Sequence, residues 1–302
     1  MNETAHRLRT AAPALALVLV ALYGLGFQLQ LPRAFPSDAD YHAVAEALTA
    51  ARASGDVVLL HPWWTERARL FMPADLPVVG YLGDTADDLV AHPRIWVLAN
   101  ERLPRTPTAD FRANFLPDRT PIGESRQFGP LTLTAYRNGR SRPVLLSSID
   151  AFDRLEVSVE APGGSPQPCH RSGSRVLCPS DASVEVTWHE VLYQPVRCLF
   201  VIPPSGGRTL AIHLPDAPAV DSLLLEAGIT WEHAWLPGRS DIQLQLESPA
   251  GTLHLRVPGA HEGFFRGESP ASGPGPWTLR IQTPNPQDRQ VCVRLRGLGA
   301  AR

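Results

Sequence analysis

The amino-acid sequence predicts a multidomain α+β protein with three successive parts. These are an N-terminal transmembrane helix, a small α/β domain with a parallel sheet, and an antiparallel β-sandwich of the jelly-roll kind. An uncharged apolar run near the start, alternating helix and strand patterns after it, and short alternating strands thereafter predict these parts. We place a cytoplasmic tail at 1–10, the membrane segment at 11–31, a linker at 32–39, the α/β domain at 40–141 and the sandwich at 142–302.

The apolar run extends from Ala11 to Phe27 and contains no charged residue, and His6, Arg7 and Arg9 precede it. Arginines on this flank place the N-terminal end in the cytoplasm. We therefore expect a single-pass protein of the cell membrane, with most of the chain on the extracytoplasmic (periplasmic) side. The run is longer than the apolar core of most signal peptides. A cleaved signal and a buried helix of a soluble protein are the alternatives.

The four cysteines independently favour export, because disulfides persist in oxidising compartments. Four cysteines permit three pairings. Cys169 and Cys178 bracket the short segment HRSGSRVL, so we predict that they pair with each other. That leaves Cys198 and Cys292, which would join an early strand to the last one and close the sandwich. Zinc is the alternative, but the sequence lacks CxxC spacing and we predict no metal.

Charge and motifs exclude several functions. The net charge is -2 and every basic residue is arginine, which argues against a nucleic-acid partner and removes lysine chemistry. The pairs His189-Glu190 and His261-Glu262 lack the second histidine of a zinc-protease motif. No serine stands in a G-x-S-x-G elbow. We predict a protein that is not an enzyme, with no cofactor and no catalytic residue.

The α/β domain begins with a helix, because Tyr41, Val44, Ala45 and Leu48 form one apolar face and Gly55 follows as a stop. Alternation of helices and strands after that point predicts parallel strands. The further elements are a buried strand (DVVLL), a helix (WTERARLFM), a strand (PVVGYL), an acidic helix (DTADDLVAH), a strand (RIWVLAN), a surface loop (101–130) and a strand that closes the edge (LTLTAYR, 131–137).

Polar and aromatic residues follow the strands of this domain. Ligands of open α/β sheets bind beyond the carboxyl ends of the strands, and a tryptophan pair could stack on a sugar or a lipid. Packing is the interpretation that we favour, with ligand binding and catalysis as alternatives. The candidate binding residues are His61, Trp63, Trp64, Tyr81, Asn100 and Glu101.

The sandwich is predicted from many short alternating runs separated by Pro, Gly, Ser and Asp. Ile242, Leu244 and Leu246 alternate with polar residues, which predicts one buried and one wet face. Trp231 and Trp235 bracket the segment WEHAW. We favour packing for these two tryptophans, and an exposed platform that stacks on sugar is the alternative.

The order YHAVAEALTAARASGDVVLLHPWW, PRIWVLAN and GPLTLTAYR resembles the exoplasmic domain of GT-C glycosyltransferases, over roughly Asp40 to Arg137. These are the protein-mannosyltransferase and aminoarabinose-transferase type, which use polyprenyl-phosphate sugars. Members of this family share a multi-helix membrane core, with an acidic residue in the first extracytoplasmic loop. This chain has one hydrophobic segment and no such core, so no catalytic residue carries over.

The runs SDIQLQLESPAGTLHLRV and GPGPWTLRI are similar to P-type (proprotein-convertase) and jelly-roll β-sandwich modules, over about Trp231 to Leu295. That resemblance implies a role in stability or binding.

The leading functional hypothesis is a non-catalytic, membrane-anchored accessory or binding protein in cell-envelope glycoconjugate assembly. Its expected partners are the membrane and either a multi-pass glycosyltransferase or a glycan. One alternative is a carbohydrate-binding β-sandwich module of a secreted protein. A second alternative is an enzyme that acts at the strand ends of the α/β domain.

Overall fold

The computed structural model describes residues 15–29, 35–81, 89–103, 108–236, 240–259, 263–287 and 289–300. The chain divides into two compact units. The first unit contains Met1–Tyr81 and Arg94–Arg137, and the second contains Leu82–Pro93 and Asn138–Arg302. The domain boundaries drawn from the sequence stay predictions.

Residues 15–29 form the first helix, α1, and its large apolar side chains are exposed. Among the described helices, none combines the length and the apolar character that crossing a membrane requires. Residues 11–14 and 30–31 of the predicted membrane segment lie outside the described residues. The transmembrane anchor therefore stays a prediction.

The predicted helix after the linker is present as α2, Asp38–Ala51. A capping box starts it: the Asp40 backbone N–H donates to Ser37 Oγ at 3.2 Å, and the Ser37 N–H donates to Asp40 Oδ2 at 2.8 Å. These bonds satisfy backbone donors that the first helical turn leaves unpaired. Tyr41, Val44 and Leu48 are buried, as the apolar face predicts.

The sheet of the first unit is mixed and not wholly parallel as predicted. Its strands are β1 (Val57–His61), β2 (Val78–Gly80), β3 (Arg94–Ala99), β4 (Arg119–Phe128) and β5 (Leu131–Asn138), in the order β2-β1-β3-β5-β4. Strand β1 pairs in parallel with β2 and β3, whereas β5 pairs antiparallel with β3. Strand β5 is internal, because β4 occupies the edge that we predicted for it.

Three local predictions for this region need correction. The predicted loop 101–130 contains the one-turn helix α3 (Thr108–Asp110), a π-helix (Phe111–Phe115) and β4. The predicted helix WTERARLFM is a short 3₁₀-helix, Glu66–Leu70. Most of the predicted acidic helix DTADDLVAH lies outside the described residues, and its last residues form a turn.

The second unit contains two antiparallel sheets. Their orders are β17-β14-β19-β12-β11-β10-β9, with β6 also paired to β19, and β16-β15-β18-β13-β7-β8. The strands are β6 (Val144–Ser147), β7 (Glu156–Glu160), β8 (Gln167–Pro168), β9 (His170–Ser172), β10 (Arg175–Leu177), β11 (Ser183–Val191), β12 (Gln194–Ile202), β13 (Thr209–Ala217), β14 (Val220–Ile229), β15 (Ile242–Ser248), β16 (Gly251–Val257), β17 (Phe265–Ser272), β18 (Gly275–Gln282) and β19 (Val291–Leu298), with helix α4 (Trp231–Ala234) after β14.

Both sheets contribute to one hydrophobic core, which makes the second unit a β-sandwich. Leu199 and Leu225 of the eight-stranded sheet and Ile212, Leu244 and Leu279 of the six-stranded sheet are buried in the same cluster. Full burial of such a side chain contributes about 1.5–3 kcal/mol. The predicted alternation of β15 is confirmed, since its apolar residues are buried and Gln243 is exposed.

Both predicted disulfides are present, Cys169–Cys178 and Cys198–Cys292. The first lies where the chain passes from β8 in the six-stranded sheet to β9 in the eight-stranded sheet. The second does not close the sandwich as predicted. It joins β12 to β19, which are neighbours in one sheet because β19 lies between β14 and β12.

Candidate functional site

The structure brings three of the predicted strand-end residues of the first unit together. The imidazole of His61, at the end of β1, packs edge-on against Tyr81 with ring centroids 5.8 Å apart. Asn100 follows β3, and its backbone N–H donates to the His61 carbonyl at 2.8 Å. All three are buried. The carboxyl ends of the parallel strands thus converge, as the fold rule predicts.

Aromatic rings from the predicted loop occupy this strand end. Phe111 of the π-helix stacks on His61 with centroids 4.1 Å apart, and Phe115 stacks on Phe111 at 4.6 Å. The Tyr81 hydroxyl donates to Asp110 Oδ2 at 3.0 Å. Among the described residues, neither ring nitrogen of His61 has a hydrogen-bond partner. The group is therefore part of a buried aromatic cluster, and a ligand-binding role for it stays a prediction.

The other strand-end residues are more exposed. Trp63 and Trp64 pack edge-on with centroids 5.8 Å apart, and Trp64 is 41% exposed. Glu101 forms a salt bridge of 3.6 Å with Arg112 at the surface. A ligand-binding role for these residues stays a prediction.

Acid is expected to destabilise the first unit through His61. Burial lowers the pKa of His61 from its ordinary 6.5 to about 4, and the charge of Asp110 opposes this shift only in part. The imidazole of His61 therefore binds a proton below about pH 6.5 in the unfolded chain, but only below about pH 4 in the folded chain. Stability is lost as the pH falls through this window, by roughly 3 kcal/mol in total.

The measurement is the free energy of unfolding in urea at several pH values. His61→Phe should reduce the slope of the unfolding free energy against pH. His170→Phe, at an exposed site, should leave that slope unchanged. Burial also lowers the pKa of His189, so part of the slope remains in His61→Phe. Equal slopes for His61→Phe and the parent protein would refute the assignment.

The second unit presents three aromatic side chains, Tyr193, Trp231 and Trp235, which we call the aromatic surface. The Tyr193 and Trp231 rings lie 4.3 Å apart between centroids, and the Trp231 and Trp235 rings lie 5.3 Å apart. Trp235 is 53% exposed and Tyr193 is 38% exposed. Sequence reasoning proposed the two tryptophans but missed Tyr193.

A strained hairpin carries Tyr193 to this position. Leu192 and Tyr193 form the two-residue turn between β11 and β12, with φ of 46° and 61°. Such turns favour Asn-Gly, because each ordinary residue in the left-handed region costs about 1–2 kcal/mol. The contact of Tyr193 with Trp231 offsets part of this cost, because an aromatic pair contributes about 0.5–1.5 kcal/mol. Because Leu192-Tyr193 contains neither Asn nor Gly, no ordinary turn signal in the sequence marks this hairpin.

Helix α4 positions the two tryptophans. Thr230 precedes the helix, and its Oγ1 lies 2.9 Å from His233 Nδ1. The guanidinium of the fully buried Arg289 donates from Nη1 to the His233 carbonyl at 2.9 Å and from Nε to the Ser240 carbonyl at 3.0 Å. A positive group at the carbonyl end of a helix is favourable. Arg289 thus fixes the end of α4 from which Trp235 projects.

Helix α4 places one acidic side chain between the two tryptophans of the aromatic surface. Glu232 of α4 is exposed, and its charge partly opposes the lowering of the pKa of His189 that burial causes. His189 itself stacks on Phe200 with centroids 3.8 Å apart. In the described part of the chain, no group of three or more His, Cys, Asp or Glu residues could hold a metal ion. The arrangement is suited to stacking on an apolar face of a ligand.

No known protein family matches the sequence, and no curated protein matches it. Solved structures show weak similarity. They include the CBM51-2 and INT domains of Clostridium perfringens ZmpB with GlcNAc (10% identity, TM-score 0.29, 48% of this chain and 37% of that chain). They also include CBM51 from Clostridium perfringens GH95 with methyl-galactose (9% identity, TM-score 0.26, 42% of this chain and 92% of that chain). A third is the CBM22-1 xylan-binding domain of Paenibacillus barcinonensis Xyn10C (15% identity, TM-score 0.27, 53% of this chain and 97% of that chain).

The chain thus spans just over a third of the first of these proteins. Similarity at this level assigns neither a family nor a ligand. The comparisons do not show the resemblance to GT-C glycosyltransferases that the sequence suggested.

Proposed function

We propose that the protein is a non-catalytic glycan-binding protein whose β-sandwich binds sugar at the aromatic surface. The observation that carries this proposal is the exposed indole of Trp235 beside Trp231 and Tyr193. One face of a pyranose ring consists of C–H groups, which gain dispersion contacts on an aromatic ring while the hydroxyls stay in water.

The rival interpretation is that these aromatic residues only pack the core. A packing tryptophan of the same unit, Trp277, is 2% exposed, whereas Trp235 is 53% exposed. The strained turn at Tyr193 and the buried Arg289 below α4 hold the exposed rings in place. A binding role explains why exposed rings are held in fixed positions better than packing does. Rigid aromatic anchors lose little conformational entropy when a ligand binds.

We place the protein outside the cytoplasm, anchored to the cell membrane by its N-terminal helix, in the assembly or binding of envelope glycoconjugates. The two disulfides support an oxidising compartment. A glycan is the partner that this proposal requires. A multi-pass glycosyltransferase that carries such a glycan is the second partner, and co-purification from envelope membranes tests it.

Trp231→Ala and Trp235→Ala are each expected to weaken glycan binding at least about tenfold, because a central aromatic anchor contributes more than about 1.4 kcal/mol. Binding is measured on an array of neutral, N-acetylated and uronic-acid oligosaccharides and then by calorimetry. Trp64→Ala, an exposed tryptophan of the first unit, is the matched control and should bind normally. Absence of glycan binding by the parent, or unchanged binding by both variants, would overturn the proposal.

A further inference from the structure

A concave surface, separate from the aromatic surface, lies on the outer face of the six-stranded sheet, away from the hydrophobic core. It is a cavity of about 320 Å³ whose polar lining includes Glu156, Ser158, Glu160, His213, Thr278 and Arg280. Pockets for small ligands begin at about 300 Å³. The cavity therefore has room for one or two sugar rings.

The register of the strands explains why the sheet face is concave here. Ser158 of β7 lies opposite Ala211 of β13, which in turn lies opposite Arg280 of β18. The small side chains of Ser158 and Ala211 form the floor. In the next row, Glu156, His213 and Thr278 lie opposite one another and form one wall. The polar depression with its floor of small residues therefore follows from which side chains alternate onto this face of the sheet.

The walls are held in position by internal hydrogen bonds. Arg280 Nε donates to Glu160 Oε2 at 3.1 Å, and Arg280 Nη1 lies 2.5 Å from Glu247 Oε2. His213 Nδ1 lies 3.0 Å from Thr278 Oγ1. Groups that are already oriented lose less conformational entropy when a ligand binds. The cavity is thus a preorganised set of donors and acceptors.

The Cys169–Cys178 disulfide supports the outer edge of the cavity. Pro168 of β8 lines the cavity and lies opposite Ser158. The next residue, Cys169, is tied to Cys178, and its backbone N–H donates to the Val157 carbonyl at 2.9 Å. The covalent link therefore fixes the position of the wall at Pro168.

The charges of the cavity select a class of ligand. Three carboxylates, Glu156, Glu160 and Glu247, lie at this face with one guanidinium, Arg280, which pairs with two of them. An excess of negative charge disfavours uronates and phosphorylated sugars. Carboxylates accept hydrogen bonds from hydroxyl groups, and the side chains of Thr278, Ser158 and Arg280 donate them.

We propose that this polar cavity is a second ligand site, which takes an uncharged sugar unit through its hydroxyl groups. It lies on the six-stranded sheet and uses none of the residues of the aromatic surface. It goes beyond the proposed function, because it can bind sugar whether or not the aromatic surface does. If both sites bind, binding at one site raises the effective concentration of the same glycan chain, or of a neighbouring chain, at the other site. The overall affinity for the glycan then increases.

The test is a variant that fills the cavity. Ser158→Tyr places a ring over the floor and leaves the core-facing residues Val157 and Val159 unchanged. Gln282→Tyr adds the same ring to the same sheet face, at an exposed position outside the cavity lining, and is the matched control. Glu156→Ala, at an exposed position, removes one acceptor with little effect on folding.

Binding is measured on an array of neutral hexose and pentose oligosaccharides and oligogalacturonates, in the full chain carrying Trp231→Ala and Trp235→Ala. We expect this double variant to lose the binding that the aromatic surface provides, to retain the weaker binding of neutral oligosaccharides by the cavity, and to reject oligogalacturonates. Ser158→Tyr and Glu156→Ala should each weaken that binding at least about tenfold, and Gln282→Tyr should not.

Loss of all neutral binding in the double variant would overturn the second site, as would unchanged binding in Ser158→Tyr and Glu156→Ala. Equal binding of oligogalacturonates would overturn the charge argument. Full binding by the double variant together with its loss in Ser158→Tyr would support the cavity while refuting the aromatic surface. The two proposals therefore fail separately.

Discussion

Replacement of Cys198 and Cys292 by alanine is expected to lower the free energy of unfolding by about 4–5 kcal/mol. The disulfide joins residues 94 positions apart, so its loss restores much conformational freedom to the unfolded chain. Both cysteines are fully buried and pack with Val191, Phe200 and Phe264 on one face of the eight-stranded sheet. Removal of the sulfur atoms also leaves a space within that cluster.

The other disulfide provides the matched control. Cys169 and Cys178 are only 9 positions apart, and loop-closure entropy predicts that their removal costs about 2 kcal/mol less. Unfolding in urea, followed by circular dichroism, gives both values. Equal losses for the two double variants would contradict the loop-length argument and would indicate that native-state packing decides the effect.

The sequence predicts elements well where one face of the element is buried. Helix α2 and strand β15 each place apolar residues at the period of the structure that they form, so each pattern identifies both the element and its buried face. The two cysteine pairs were also predictable, because a short segment separates Cys169 from Cys178 and the remaining two must then pair.

Strand β4 shows where that reasoning stops. Its residues are mostly exposed, and the run RTPIGESRQF therefore lacks the alternation that burial would impose. Only its pairing beside β5 makes it a strand. The same limit applies to Phe111 and Phe115, which occur in a Pro- and Arg-rich segment yet fill the strand end beside His61.

The candidate site is predictable only in part for a similar reason. Trp231 and Trp235 are close in the sequence, and their spacing suggested a shared surface. Tyr193 joins them through a hairpin that lies far from them along the chain. Arg289 occurs in a polar loop, PNPQDRQ, where nothing local indicates that its side chain is fully buried. The contact of Tyr193 with Trp231 and the burial of Arg289 both depend on tertiary structure.

Arg289→Met is expected to lower the free energy of unfolding by about 3–6 kcal/mol, because two hydrogen bonds from a charged donor are each worth about 1.5–3 kcal/mol. The variant leaves the carbonyls of His233 and Ser240 without their guanidinium partner inside the fold. Since the first of these carbonyls belongs to the penultimate residue of α4, we also expect Trp231 and Trp235 to lose their fixed position.

Arg256→Met is the control, because Arg256 is an exposed arginine that pairs with Asp241 at the surface. Its loss should cost no more than about 1 kcal/mol. Urea unfolding gives the stability, and glycan binding at concentrations where each variant is folded gives the second readout. If Arg289 positions the aromatic surface, folded Arg289→Met binds glycan as weakly as Trp235→Ala. Full binding by a destabilised Arg289→Met would show that Arg289 stabilises the sandwich without positioning the tryptophans.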